Sequence, residues 1–85
     1  MQVSWSDDAW LDYEWQTQDR KTLKRINALI TDIKRSGHQG IGEPEQLRGD
    51  LSGWWSRRID AKNRLVYRVN GEVEIAQCVR HYSDT

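Results

Sequence analysis

Apolar residues recur with a helical period in the first half of the chain and predict two helices there. Beyond Asp19 the apolar positions follow the i, i+3, i+4, i+7 spacing of one buried helical face. These positions are Leu23, Ile26, Leu29, Ile30 and Ile33. Gly37 is placed to end this helix in a left-handed turn. An earlier helix is predicted after Ser6, which offers a hydroxyl cap, and Val3 and Trp5 predict a short strand before it.

The second half of the chain predicts strands. Alternating segments indicate strands over 54–59, 64–69 and 73–81, and Asn70 with Gly71 predicts a two-residue hairpin turn of type I′. Gly40, Gly42 and Pro44 indicate a loop in which the residue before Pro44 is extended, with no helix after it. The fold class predicted is therefore α+β: a short N-terminal strand and two helices packed on an antiparallel sheet.

Length and composition limit the functional classes. The 85 residues predict one domain spanning 1–85. The single cysteine, Cys78, rules out an internal disulfide and a CxxC metal site, and we predict no metal and no cofactor. The N-terminal segment lacks the basic and apolar regions of a signal peptide, so a cytoplasmic location away from membranes is predicted.

The net charge of zero conceals opposed blocks. Residues 1–19 contain five acids and no base, whereas 20–35 contain six bases and one acid, and 57–68 contain five bases and one acid. Segregation of this kind can present a basic surface to nucleic acid. Helices with solvated charged faces give the same pattern, and this alternative stays open.

The candidate chemistry is metal-independent cleavage of RNA. A carboxylate, a guanidinium and an imidazole can deprotonate a 2′-hydroxyl, stabilise phosphoryl oxygens and protonate the leaving 5′-oxygen. Glu45, Arg64 and His81, with Tyr82 beside the histidine, supply these groups. A plainer interpretation of each residue remains: Glu45 as a loop acid, the arginines as a solvated sheet face, and His81 as an exposed tail residue.

Four segments carry a resemblance to a known family. They read GIGEPEQL over 40–47, LSGWWSRRI over 51–59, NRLVY over 63–67 and a C-terminal HY pair at 81–82. The chain resembles the YoeB/Txe toxin endoribonucleases within the RelE/ParE-like superfamily. This resemblance implies a compact RelE-like fold and an mRNA interferase that cuts mRNA in the ribosomal A site.

The resemblance also implies residue roles. The general base falls on Glu45, the arginine that stabilises the transition state on Arg64, and the general acid on His81, next to Tyr82. Further RNA contacts are predicted for Arg48, Arg57, Arg58 and Trp55. Two departures from the family pattern stand out, a Glu43 where relatives often have lysine and an extension of three residues past Tyr82. Losing a base at position 43 weakens the expected contact with RNA.

The partners implied are a cognate antitoxin of the YefM/Phd type, the ribosome and mRNA. Operator DNA is expected only through the antitoxin complex, and a homodimer is left open. Two alternatives belong to other functional classes: a toxin of the same fold with a gyrase-type target, and a non-catalytic module that binds RNA or protein.

Overall fold

A five-stranded sheet with two helices forms the described part of the protein. The computed structural model describes residues 2–15 and 19–78, apart from the side chain of Trp15. The elements are β1 (Val3–Trp5), α1 (Asp7–Trp15), α2 (Arg20–Ser36), β2 (Glu45–Gln46), β3 (Trp55–Arg58), β4 (Arg64–Val69) and β5 (Val73–Gln77). The predicted α+β class and both helices are confirmed.

The strand order in the sheet is β1-β5-β4-β3-β2. Neighbouring strands are antiparallel except at one edge, where β1 runs parallel to β5 with Val3 opposite Val73. A parallel pair needs a long crossover, and here all the other elements lie between the two strands in sequence. The sheet is thus mixed, whereas the sequence predicted an antiparallel one.

The predicted helix ends are confirmed. The Ser6 Oγ accepts the N–H of Ala9 at 3.0 Å and donates to the carbonyl of Ala76 at 2.8 Å, which fixes the start of α1 against the end of β5. The Asp19 carboxylate caps α2 by accepting two backbone N–H groups of its first turn, and these bonds lower the pKa of Asp19. At the other end Gly37 ends α2 as predicted and donates to the carbonyl of Ile33 at 2.8 Å, but its φ 67° and ψ −114° are not those of the predicted left-handed turn.

Strand register divides the sheet side chains between two faces. The face against the helices, called the inner face here, shares one buried cluster with them: Ala9, Ile26, Leu29, Ile30, Ile33, Leu65, Tyr67, Val73 and Ile75. The opposite face, called the outer face, follows from the cross-strand pairs and the two-residue alternation of each strand. It carries Glu45, Ser56, Arg58, Arg64, Val66, Arg68 and Glu74. The polar candidates therefore meet on the side away from the main core.

A β-bulge corrects the predicted alternation at the end of β5. Tyr67 pairs with Ile75 but Val66 pairs with Gln77, so β5 has one extra residue between the two pairs. Strict alternation along 73–81 would put Cys78 on the face opposite Ile75. Because the bulge reverses the facing, Cys78 lies fully buried in the inner cluster, where its Sγ approaches the carbonyl of Ala9 at 3.4 Å.

Three local predictions were wrong. The β4–β5 loop has three residues between the paired Val69 and Val73, and of its predicted turn residues only Gly71 has positive φ, so the turn is not type I′. Glu43, before Pro44, is not extended but has φ 53°, held by contacts from β3 and β4. No helix was predicted after the loop that contains Pro44, but a 3₁₀ turn lies there at Gly49–Leu51.

Arg57 is the buried centre of the inner face at the β3 side. Its side chain is 0% exposed and its Nη1 forms an ion pair with Asp32 of α2 at 2.6 Å. The other donors bond the Tyr67 hydroxyl at 3.3 Å and carbonyls of the loop after α2 at 2.7–3.0 Å, which belong to Gly37, Gln39 and Ile41. The predicted contact of Arg57 with RNA is wrong, because a buried guanidinium satisfied by five internal bonds presents nothing to a ligand.

The loop fixed by Arg57 also packs closely on the core. A Cβ built on Gly42, which has φ 84°, would lie 2.7 Å from Leu29 Cδ2, so only glycine fits there without displacement. The carbonyl of Gly42 accepts the N–H of Arg58 at 2.6 Å. The hydrogen bond from Arg57 keeps the pKa of Asp32 below its ordinary value, with a second contribution from the N–H of Ile41. These contacts fix the position of the loop that leads into β2.

His38 lies at the solvent-exposed edge of this cluster. Its ring stacks on Trp55 with a centroid distance of 4.1 Å and an angle of 9° between the planes. Partial burial, and next the positive charge of Arg57, lower the pKa of His38 below 6.5. The neutral imidazole is therefore the form that the folded protein favours.

Replacing Arg57 by methionine should lower the free energy of unfolding by about 3–5 kcal/mol, because the change leaves Asp32 and three loop carbonyls without their donor. Chemical denaturation measures the effect. Arg58→Met is the matched control, since that side chain is 52% exposed and its loss should change stability by less than about 1 kcal/mol. Equal stability of the two variants would contradict the role given to Arg57.

Acidification should destabilise the protein through His38. The pKa of His38 is lower in the folded protein than in the unfolded chain. Its contribution to the free energy of unfolding is therefore fully present above pH 6.5 and is lost as the pH falls below that value. We expect the denaturation midpoint to drop between about pH 7.5 and about pH 5.5, and to drop less in His38→Phe, which keeps the stack on Trp55. The same pH dependence of the denaturation midpoint in both proteins would show that His38 does not cause the loss of stability in acid.

Candidate active site on the outer face

Glu45 and Arg64 face each other on the outer face. Glu45 lies on β2 opposite Ser56 of β3, and Arg64 begins β4 opposite Arg58. The Arg64 Nη2 is 3.9 Å from the Glu45 Oε2. The carboxylate is 59% exposed, so a ligand can reach it, and the guanidinium lies next to it. The structure thus brings together the predicted base and the predicted phosphate clamp.

Arg64 is held in one orientation by the surrounding structure. Its Nε donates to the buried Ser56 Oγ at 2.8 Å, and its Nη2 donates to the carbonyl of Glu43 at 3.2 Å. The side chain is only 15% exposed. Within residues 2–15 and 19–78, its Nη1 has no hydrogen-bond partner. A fixed fork with an unused donor pair suits an anionic oxygen, because an arginine retains its charge and its planar geometry.

Two further arginines were predicted to contact RNA, and one of them lies beside this pair. Arg58 is a neighbour of Arg64 across β3 and β4, and its Nη2 is 3.8 Å from the Glu43 Oε2. This ion pair is exposed on both sides, so it contributes little stability and can be replaced by another anion. Arg48 is exposed just before the 3₁₀ turn. Both side chains are accessible, as their predicted contacts with RNA require.

The remaining predicted residues are placed differently. Trp55 pairs with Tyr67 on the inner face and stacks on His38, so it is separated from Glu45 by the sheet. Arg57 is buried beneath the same face. His81 and Tyr82 lie outside the described residues, and their roles remain predictions.

Sequence reasoning overlooked Ser56 and the position of Glu43. Ser56 holds Arg64, and Glu43 contacts two arginines, Arg58 by its carboxylate and Arg64 by its carbonyl. Glu43 could have been singled out from the sequence, because an acidic residue there departs from the family pattern. Ser56 could be found only with the register of β3 on β4, which depends on contacts distant in sequence.

Among residues 2–15 and 19–78, the arginines of the outer-face strands are each matched by one glutamate. The three ion pairs are Arg58–Glu43 at 3.8 Å, Arg64–Glu45 at 3.9 Å and Arg68–Glu74 at 3.0 Å. The first two exceed hydrogen-bond length, whereas the third is bidentate with a second bond of 3.1 Å. Attraction of this face for a free polyanion is therefore small, although each arginine can act locally.

The described residues contain neither a metal-binding cluster nor a membrane-spanning helix. No group of three or more histidine, cysteine or acidic side chains is arranged there to hold a metal ion. None of the helices described is both long and apolar enough to cross a membrane.

Comparison with known proteins identifies the family. The model of the YoeB-like toxin of bacterial type II toxin-antitoxin systems matches residues 5–82. Toxin YoeB of Streptomyces coelicolor is 49% identical and that of Escherichia coli K12 is 46% identical, each over 96% of this chain and 100% of the relative.

Solved structures agree with this match. A YoeB/ParE toxin from Agrobacterium tumefaciens superposes with a TM-score of 0.93 at 44% identity, over 96% of this chain and 100% of that one. The YoeB chain of a heterotetrameric YoeB-YefM complex from Staphylococcus aureus gives 0.90 at 42% identity, over 96% and 98%. Sequence and structure together show that the chain belongs to the YoeB-like toxins of bacterial type II toxin-antitoxin systems.

Proposed function

We propose that this toxin is a ribosome-dependent endoribonuclease that cleaves mRNA in the A site and so inhibits translation. The observation that supports this most is the Glu45–Arg64 pair, in which an accessible carboxylate lies 3.9 Å from a guanidinium held by Ser56. The pair supplies a base and an anion clamp on one face of the sheet. No metal ion is part of the proposal.

The reaction divides into three roles. Glu45 removes the proton of the 2′-hydroxyl, whose oxygen attacks the adjacent phosphorus while the bond to the 5′-oxygen breaks. Arg64 stabilises the negative charge on the phosphoryl oxygens through its Nη1, which has no hydrogen-bond partner among the described residues. His81, assigned by resemblance, gives its proton to the leaving oxygen, with Tyr82 beside it. The products are a 2′,3′-cyclic phosphate and a 5′-hydroxyl.

The requirement for the ribosome follows from the weakness of the isolated site. Carboxylates are weak bases, and the balanced charges of the outer face give little general affinity for RNA. Holding the scissile nucleotide in the reactive geometry can supply much of the missing rate. The ribosome, which fixes mRNA in its A site, provides that orientation.

The proposed protein partner is an antitoxin. The Staphylococcus aureus relative is described both in a complex with YefM and as a dimer. We propose that this chain binds a cognate YefM-type antitoxin, reaches operator DNA only within that complex, and forms a homodimer. Co-expression with a YefM-type antitoxin tests the first assembly, and sedimentation tests the last.

Arg64→Lys should lower the single-turnover rate on programmed ribosomes by about 10²–10³-fold, because lysine keeps the charge but loses the fork bonded to Ser56 and Glu43. Glu45→Gln should lower the rate by about 10²–10⁴-fold. Glu72→Gln removes a charge from the distant β4–β5 loop and should cleave normally. Normal cleavage by Arg64→Lys and Glu45→Gln would refute the roles of both residues.

Glu43→Gln should increase affinity for mRNA on the ribosome by up to about 5-fold, since it releases Arg58 from a weak exposed ion pair without changing the backbone need for φ 53°. Affinity should also depend more steeply on salt. Titration of programmed ribosomes at two salt concentrations measures both effects. An unchanged affinity and salt slope would show that Glu43 does not compete for Arg58.

A further inference from the structure

The outer face carries a second polar cluster at the opposite end of β4 from Arg64. Trp54, just before β3, is the cross-strand neighbour of Arg68 by the β3–β4 register. The Arg68 guanidinium carbon lies 4.5 Å from the centre of the Trp54 ring. Glu74 of β5 holds this guanidinium by bonds of 3.0 and 3.1 Å, to Nε and Nη2. The cluster is thus an aromatic ring and a charged plane in fixed contact.

A cleft of ≈ 370 Å³ opens beside the cluster. It is lined by Ser4, Trp5, Ser6, Trp54, Glu74, Ile75 and Ala76. Trp54 belongs to this lining, whereas Arg68 does not and contacts the ring instead. The ring therefore forms a wall of the cleft while the guanidinium fixes its position.

The cluster continues the line of the candidate active site. Arg64 and Arg68 both lie on β4 and point to the outer face, four residues apart, which corresponds to about 13 Å along a strand. Proteins that bind single-stranded nucleic acid combine positive groups along the backbone with aromatic rings on which bases stack. Arg58, Arg64 and Arg68 supply the first component, and Trp54 supplies the second.

We propose that Trp54 and Arg68 form a stacking subsite for a nucleobase of the mRNA flanking the scissile phosphate. The base enters the cleft against the indole, and Arg68 supports the ring and leaves its Nη1 for a phosphate or base acceptor. The bond from Arg68 lowers the pKa of Glu74, so this carboxylate stays charged and keeps the guanidinium oriented. The subsite rests on the proposed function and adds a binding contribution separate from the acid-base chemistry.

Binding to a non-cleavable RNA tests the subsite without requiring catalysis. The probe is a short 2′-O-methyl oligoribonucleotide, which lacks the 2′-hydroxyl nucleophile, and the control is the abasic oligomer with the same phosphates. NMR should show the largest indole N–H shift at Trp54, and this shift should disappear with the abasic oligomer. A shift that is the same for both oligomers, or absent at Trp54, would overturn the proposal.

Kinetics on programmed ribosomes provide the second test. Trp54→Leu should lower kcat/KM for mRNA cleavage by about 10-fold to 100-fold, with Trp54→Phe restoring most of the activity. The matched control is Trp10→Leu, which changes an exposed tryptophan of α1 on the helix side. Should Trp54→Leu not fold, Arg68→Lys keeps the charge, loses the planar contact and should lower kcat/KM by about 3-fold to 10-fold.

The outcomes separate the two proposals. A base-dependent shift at Trp54 without cleavage by the parent protein would support the subsite and refute the proposed nuclease function. Normal cleavage by Trp54→Leu and Arg68→Lys would refute the subsite and leave the nuclease standing. Loss of antitoxin affinity in Trp54→Leu with normal cleavage would assign the cleft to a protein ligand, and also refute the subsite.

Discussion

The buried arginine at position 57 is the constraint on which the site depends. A guanidinium with no exposure must have its donors satisfied, and here they bind Asp32 of α2, the Tyr67 hydroxyl and three loop carbonyls. These bonds join the end of α2, the following loop and the sheet. Because that loop leads directly to Glu43 and to Glu45 on β2, the position of the candidate base is set by a residue on the other face of the sheet.

The pairing of arginines with glutamates on the outer face explains how this face can bind a positioned phosphate yet have little affinity for free RNA. In the part of the chain that the structure describes, Arg58, Arg64 and Arg68 of this face each have one glutamate partner, and the two pairs nearest the candidate site are longer than hydrogen bonds. In such weak pairs a phosphate that is already in position can replace the glutamate, but the pairs give little affinity for free RNA. Arg64 differs from Arg58 because Ser56 and the Glu43 carbonyl hold it, so its geometry exists before substrate arrives.

The elements that depend on local pattern were predictable from the sequence. The apolar period of α2, its start near Asp19 and its end at the glycine after Ser36 all depend on local features, and each is found as expected. The type of turn after β4 and the backbone conformation of Glu43 could not be predicted, because contacts from other strands override the local preference there.

The site was predictable in its residue types more than in its geometry. Arg57 and Arg58 are adjacent in sequence, and alternation puts one on each face of the sheet. Which one is buried is decided by Asp32, 25 residues earlier in the chain. Register likewise decides that Ser56 supports Arg64. Sequence pattern contains no signal for either pairing, so Arg57 was assigned to RNA and Ser56 was overlooked.

Primer extension on an abundant mRNA, after inducible expression in a bacterial host, shows whether this toxin cleaves mRNA through Glu45 and His81. We expect new codon-linked 5′ ends with the parent protein and none with the Glu45→Gln, His81→Gln double variant at equal protein levels. Growth arrest by the parent without such ends would contradict the account and indicate a gyrase-type or other target. The same ends in the double variant would contradict the assignment of the chemistry to these residues.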